Sequence, residues 1–91
     1  MKPELSAMPR LAPGVRLNEK SQEQRMLQMP ERALRLNGPS LEIVLRCDGK
    51  HTVGQIAEDL HKLYAKAEPE RITSDLLGYL TLLHDQRAID F

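Results

Sequence analysis

The stretch from residue 29 to residue 60, MPERALRLNGPSLEIVLRCDGKHTVGQIAEDL, constrains the fold more than any other part of the chain. It sets end to end a short strand, a capped helix, a Cys-Asp-Gly turn and a second capped helix. Pro30 and Glu31 break the chain before Ala33, Leu34, Arg35 and Leu36, where two leucines alternate with Ala33 and Arg35 as one face of a strand requires. A strand this short is expected at a sheet edge. Asn37 is placed to cap the next helix. Pro39 suits its first turn, where an absent N–H leaves nothing unpaired, and Leu41, Val44 and Leu45 form its apolar stripe. Asp48 and Gly49 end it, Gly49 being suited to the left-handed conformation that follows a helix. Thr52 and Gln55 have the capping-box spacing, and Val53, Ile56, Ala57, Leu60, Leu63 and Tyr64 then follow the i, i+3, i+4, i+7 rule. No catalytic grouping lies in this run, so the scaffold suits holding a ligand better than converting one.

The flanks complete an α+β pattern. Residues 1–13 carry three prolines and scattered charges without a period, and read as a flexible lead-in that becomes extended near Leu11. The folded domain is expected over residues 14–91. Val15 and Leu17 alternate with Arg16 and Asn18 in a first strand, a polar turn follows, and Arg25, Met26, Leu27, Gln28 and Met29 form a second. Glu68 and Pro69 open a third helix in which Ile72, Leu76, Tyr79, Leu80 and Leu83 share a face, with Leu77 and Leu82 on its two flanks. That arc is wider than one contact needs, so one flank can pack on the sheet while another meets a partner. Residues 88–91 read as a terminal extended piece. The expected fold is a small winged-helix-like domain, a three-stranded antiparallel sheet followed by three helices.

Ninety-one residues make one domain with a single modest core. With only Phe91, Tyr64 and Tyr79 as aromatics, that core must be aliphatic. Thirteen basic and thirteen acidic side chains cancel, which removes the broad positive field that gathers nucleic acid or anionic lipid. Cys47 is the only cysteine, so no intramolecular disulfide forms, and every apolar run is interrupted before it reaches the length of a signal peptide or membrane span. A cytoplasmic protein without membrane attachment is the expectation.

Cys47, Asp48 and His51 are close in sequence, but a closed zinc site needs four ligands and a Cys-His nucleophile needs an orienting group and an oxyanion hole. Cys47 therefore reads as a helix-end core residue and Asp48-Gly49 as a turn; no metal, cofactor or catalytic residue is expected. His61 and His84 fall on polar helix faces and are expected in solvent. Glu58 and Asp59 beside Lys62, and Asp85 beside Arg87, read as solvated charges. Met26 or Met29 is a candidate wall of a binding surface. A helix-turn-helix reader of DNA is the rival reading, with Arg71, Thr73 and Ser74 heading the recognition helix. Glu68, Glu70 and Asp75 oppose it, because they would be brought toward phosphates.

The string PERALRLN, then a helix, CDG, a short turn, TV, Ile56 and a closing leucine helix resembles the PqqD family of pyrroloquinoline quinone biosynthesis. The matching positions are Pro30, Glu31, Leu36, Asn37, Cys47, Asp48, Gly49, Thr52, Val53 and Ile56, preceded by LAPGVRL at 11–17. Arg32 stands where the family commonly has glycine, and the second strand lacks the aromatic residue often found there. The resemblance implies a peptide-recognition domain that binds a precursor peptide like PqqA and presents it to a radical SAM enzyme like PqqE.

Physical chemistry supplies the mechanism that such a role needs. The third strand, through Ala33, Leu34, Arg35 and Leu36, offers main-chain groups to an extended peptide, and Leu77, Tyr79 and Leu80 of the third helix are the candidates for side-chain pockets. A flexible ligand loses entropy on binding, so affinity is expected on the order of micromolar to sub-micromolar. A homodimer, with or without exchange of the N-terminal strand, is an assembly that the sequence permits. Two readings thus stand, a peptide chaperone and a nucleic-acid-binding regulator.

Overall fold

The computed structural model describes residues 4–18, 26–36 and 38–91. Its elements are β1 (Arg10–Leu11), β2 (Arg16–Asn18), β3 (Met26–Gln28), β4 (Ala33–Arg35), α1 (Pro39–Leu45), α2 (Val53–Leu63), α3 (Pro69–Asp85) and β5 (Ile89–Asp90). Strands β2, β3 and β4 form an antiparallel sheet in that order, and the three helices follow, which is the expected α+β arrangement. The polar turn expected before the second strand, the strand's first residue Arg25, and Asn37 lie outside the described residues.

Register explains how so small a sheet finds its place. Leu17 pairs with Leu27 and Leu27 with Leu34, so one leucine from each strand stands in a row on the same face. Side chains of a strand alternate between faces, so a slip of one residue would turn the whole row to solvent. Leu27, on the central strand, is fully buried, and Leu17 and Leu34 pack half-buried beside the core.

Helix α1 departs from the sequence pattern in two ways. Its N-cap is Gly38, at φ 54°, with no side-chain hydrogen bond, rather than the expected Asn37. Its buried residues are Leu41, Ile43 and Val44, whereas Leu45 is 43% exposed. On a helical wheel Ile43, Cys47, Val44 and Leu41 are contiguous and Leu45 falls about 40° beyond Leu41, off the arc that meets the rest of the core. Helix α2 follows expectation closely. Thr52 N–H donates to Gln55 Oε1 at 2.8 Å and Gln55 N–H to Thr52 Oγ1 at 3.1 Å, a complete capping box. Val53, Ile56, Ala57 and Leu60 are buried, while Leu63, the last residue of the helix, is exposed.

The expected loose lead-in differs most. In its described part, residues 4–13, the chain lies along the domain, because the N-terminus of α2 carries N–H groups that no helical carbonyl can accept. Leu5 O accepts from Gly54 N–H and Ala7 O from Val53 N–H, both at 2.9 Å, and Pro9 O accepts from Gly49 N–H at 2.9 Å. Leu11 N–H donates to Cys47 O, Ala12 N–H to Ala88 O, and β1 pairs antiparallel with β5. Pro9 is fully buried. The interior is aliphatic, with Leu76, Leu80 and Leu83 of α3 and Ile89 of β5 fully buried beside Leu27, Val53, Ile56 and Leu60.

Candidate functional site

Strand β4 is an edge of the three-stranded sheet, paired with β3. Met29 N–H donates to Arg32 O at 2.8 Å across the turn at Pro30 and Glu31. Pairs in an antiparallel ladder alternate between bonded and non-bonded, so Leu27–Leu34 is a bonded pair, and Gln28–Ala33 and Met26–Arg35 are not. The main-chain groups of Ala33 and Arg35 therefore point to the outer side of β4, where an added strand would lie. Their side chains are exposed on the sheet face opposite Leu34, which is half-buried, and Leu36, which is buried. Two periodicities thus meet on one strand: alternate side chains hold it to the core, and alternate main-chain groups face outward.

Helix α3 sorts its three candidates differently from expectation. Leu80 is 0% exposed, because with Leu76 and Leu83 it forms the innermost i, i+4, i+7 stripe of the helix. It is a core residue with no surface to offer a peptide. Leu77 and Tyr79 are half-buried but lie about 160° apart around the helix, on opposite flanks of that stripe, so one groove cannot use both. The Tyr79 hydroxyl interacts electrostatically with Ser40 in the first turn of α1, so its flank is the one nearer α1. Burial raises the Tyr79 hydroxyl pKa, and the Ser40 interaction partly opposes that.

Cys47 does not converge with Asp48 and His51. Cys47 is buried and its thiol donates to Ile43 O at 3.2 Å; burial, with a smaller contribution from the Asp48 charge, pushes its pKa up to about 12. Its neighbours turn the other way. Asp48 accepts from Lys50 N–H at 2.8 Å and sits 3.0 Å from His51 Nδ1 at the surface, and the His51 hydrogen bond is the main cause of its lowered pKa. Among the described residues no group of three or more His, Cys, Asp or Glu side chains gathers as a metal-binding set.

Several side chains expected in solvent have partners that no spacing rule reveals. His61 Nε2 lies 3.1 Å from Pro69 O and 3.0 Å from Thr73 Oγ1. The ring thereby ties α2 to the start of α3. His84 stacks on Phe91 with ring centroids 4.6 Å apart. Asp59 pairs with Arg46 at 3.0 Å, and Arg46 also reaches Glu42 at 2.7 Å. The Glu42 bond is the largest cause of the raised Arg46 pKa. Met29, a candidate wall, lines a shallow hollow with Val15, Arg32 and Arg87 at the closed end of the β3–β4 hairpin.

The three-stranded sheet followed by three helices, with the Cys-Asp-Gly turn between the first two helices, agrees with a family model that matches residues 16–89, that of coenzyme PQQ synthesis protein D (PqqD). The chain belongs to the PqqD family. It is 33% identical over 82 residues to the PqqA binding protein of Xanthomonas campestris, covering 89% of this chain and 88% of that protein. It is also 35% identical over 86 residues to the bifunctional coenzyme PQQ synthesis protein C/D of Methylorubrum extorquens. That match takes in 93% of this chain but only 23% of the bifunctional protein, so this PqqD chain corresponds to one part of it. The solution NMR structure of the PqqD truncation of Methylobacterium extorquens PqqCD, a functional and stand-alone RiPP recognition element, superposes with a TM-score of 0.77 at 33% identity, covering 98% of this chain and 95% of that one. The crystal structure of PqqD from Xanthomonas campestris gives 0.56 at 32% identity, covering 92% and 93%.

Proposed function

We propose that this PqqD-family chain is a non-catalytic, cytoplasmic peptide chaperone of pyrroloquinoline quinone biosynthesis. It binds a ribosomally made precursor like PqqA by adding it as a strand to β4, and presents it to a radical SAM enzyme like PqqE. The observation that carries this reading is the outer edge of β4, where the main-chain groups of Ala33 point outward and the side chains of Ala33 and Arg35 are exposed, as strand addition of an extended chain requires. The relatives named as PqqA binding proteins, and the one that is a RiPP recognition element, supply the identity of the ligand. Among the described residues no helix is long and apolar enough to cross a membrane, which agrees with a domain that meets its peptide in water.

Main-chain pairing gives affinity to any extended peptide, so choice must come from side chains. Titrating a synthetic PqqA peptide into the labelled protein, beside a duplex DNA of equal charge, tests the reading. Saturable shifts with PqqA and none with DNA are expected. Binding of the duplex at physiological salt, without binding of PqqA, would replace the chaperone by the regulator.

A further inference from the structure

The Tyr79 flank of α3 continues into a cleft of about 170 Å³ between the three helices. Pro39 and Ile43 of α1, Leu60 of α2 with Tyr64 just after it, and Ile72 and Leu76 of α3 give it apolar walls, with the exposed Ala67 also in the lining. Arg71 and Asp75, both exposed, are its charged rim. An apolar cavity of roughly 150 Å³ holds one benzene, so this volume suits the side chain of one leucine, isoleucine or phenylalanine. Such a cleft, mostly apolar with a few polar groups at the mouth, has the make-up of a pocket that anchors and orients a ligand.

Its position selects the occupant. Pro39 is four residues beyond Arg35, the last residue of β4, so the cleft begins within about 14 Å of the strand's end. An added strand advances about 3.3 Å per residue, so at most about four or five residues of peptide beyond β4 are needed to reach the cleft. Ile72 lies on the same side of the innermost α3 stripe as Tyr79, next to Leu76 of that stripe, and this is the side whose Tyr79 interacts with Ser40 of α1. Tyr64 and Ala67 also border a second apolar hollow with the exposed Leu63, so the apolar surface continues past the cleft.

We infer that this cleft is the specificity pocket of the peptide surface: it receives one bulky apolar side chain of the precursor, within about five residues of the segment paired with β4. The inference rests on the strand-addition reading above. It makes the recognised feature a strand-forming stretch followed, at fixed spacing, by a leucine-, isoleucine- or phenylalanine-sized residue.

The test uses the full chain, a synthetic PqqA peptide and alanine-scanned versions of it. Ala67 is an exposed lining residue, so Ala67→Trp fills the mouth without entering the core. Calorimetric titration should show PqqA affinity falling about 10- to 100-fold in Ala67→Trp, the worth of burying one such side chain. One apolar position of the peptide should lose a similar factor on alanine replacement in the wild type and almost none in Ala67→Trp, the signature of a coupled pair. An unchanged melting temperature and amide spectrum will show that the variant folds. Failure of the wild type to bind PqqA would overturn the peptide reading and this inference together. PqqA bound equally by wild type and variant, with shifts at Ala33, would overturn the pocket alone. A wild type that self-associates through the cleft, while Ala67→Trp is monomeric and keeps full PqqA affinity, would assign the pocket to a second copy and also overturn it.

Discussion

Deleting residues 1–8 removes the carbonyls of Leu5 and Ala7 that accept from Gly54 and Val53, and leaves the first turn of α2 to water. A net backbone hydrogen bond contributes about 0.5–1.5 kcal/mol, so two give about 1–3 kcal/mol, with a further small loss where Ala7 packs on the core. For a domain of this size each kcal/mol shifts the melting temperature by about 4–8 °C, so a fall of roughly 5–20 °C is expected. Hydrogen exchange localises the effect. Val53 and Gly54 amides should lose protection while Gln55, held by the Thr52 hydroxyl, keeps most of its own. PqqA affinity should stay within about threefold, because β4 belongs to the other sheet. A melting temperature within 2 °C of wild type, about the effect of half a kcal/mol or less, with Val53 and Gly54 equally protected, would refute the bracing of α2 by the N-terminal segment.

Other substitutions separate surface from core. Arg35→Glu should leave the melting temperature within a few degrees and weaken acidic peptides mainly at low salt, since a rim charge acts on association; equal affinity at low and high salt would show Arg35 to be only a solubilising edge residue. Leu34→Asp should abolish folding, read by loss of cooperative melting, because it sets a charge beside buried Leu27 at a cost of about 3 kcal/mol or more. Cys47→Ala should cost about 1–2 kcal/mol in chemical denaturation and leave PqqA affinity unchanged, and native Cys47 should resist alkylation at neutral pH because its thiolate is scarce. The Asp48 pKa is lowered in the folded state from an ordinary 3.8, so its contribution is present above that value and lost as pH falls through the folded pKa. The difference in melting temperature between wild type and Asp48→Asn should thus hold from neutral pH to about 4 and shrink below it; a constant difference down to pH 2 would contradict this.

Elements governed by local rules were legible in the sequence. The Thr52–Gln55 box, the α2 stripe and the alternation of Leu34 with Arg35 each require only neighbours within a few residues, and the structure holds all three. The strap of residues 4–13 was not legible, because it is held by main-chain carbonyls that leave no trace in residue identity. Pairings between Arg46 and Asp59, or His61 and Thr73, join residues more than ten positions apart and carry no periodic signal. At the candidate site, strand β4 follows from alternation alone. The wide apolar arc of α3 held both core and surface, and only packing shows that Leu80 is interior and that Leu77 and Tyr79 part to opposite flanks.

The central claim is that PqqA becomes a fourth strand on the outer edge of β4. Amide hydrogen exchange at single-residue resolution, with and without saturating PqqA, tests it most directly. Protection should rise at Ala33, whose amide points outward, while Leu34, already bonded across to Leu27, changes little. Protection that rises instead along β2, the opposite edge, or at no strand residue while PqqA is bound, would contradict it.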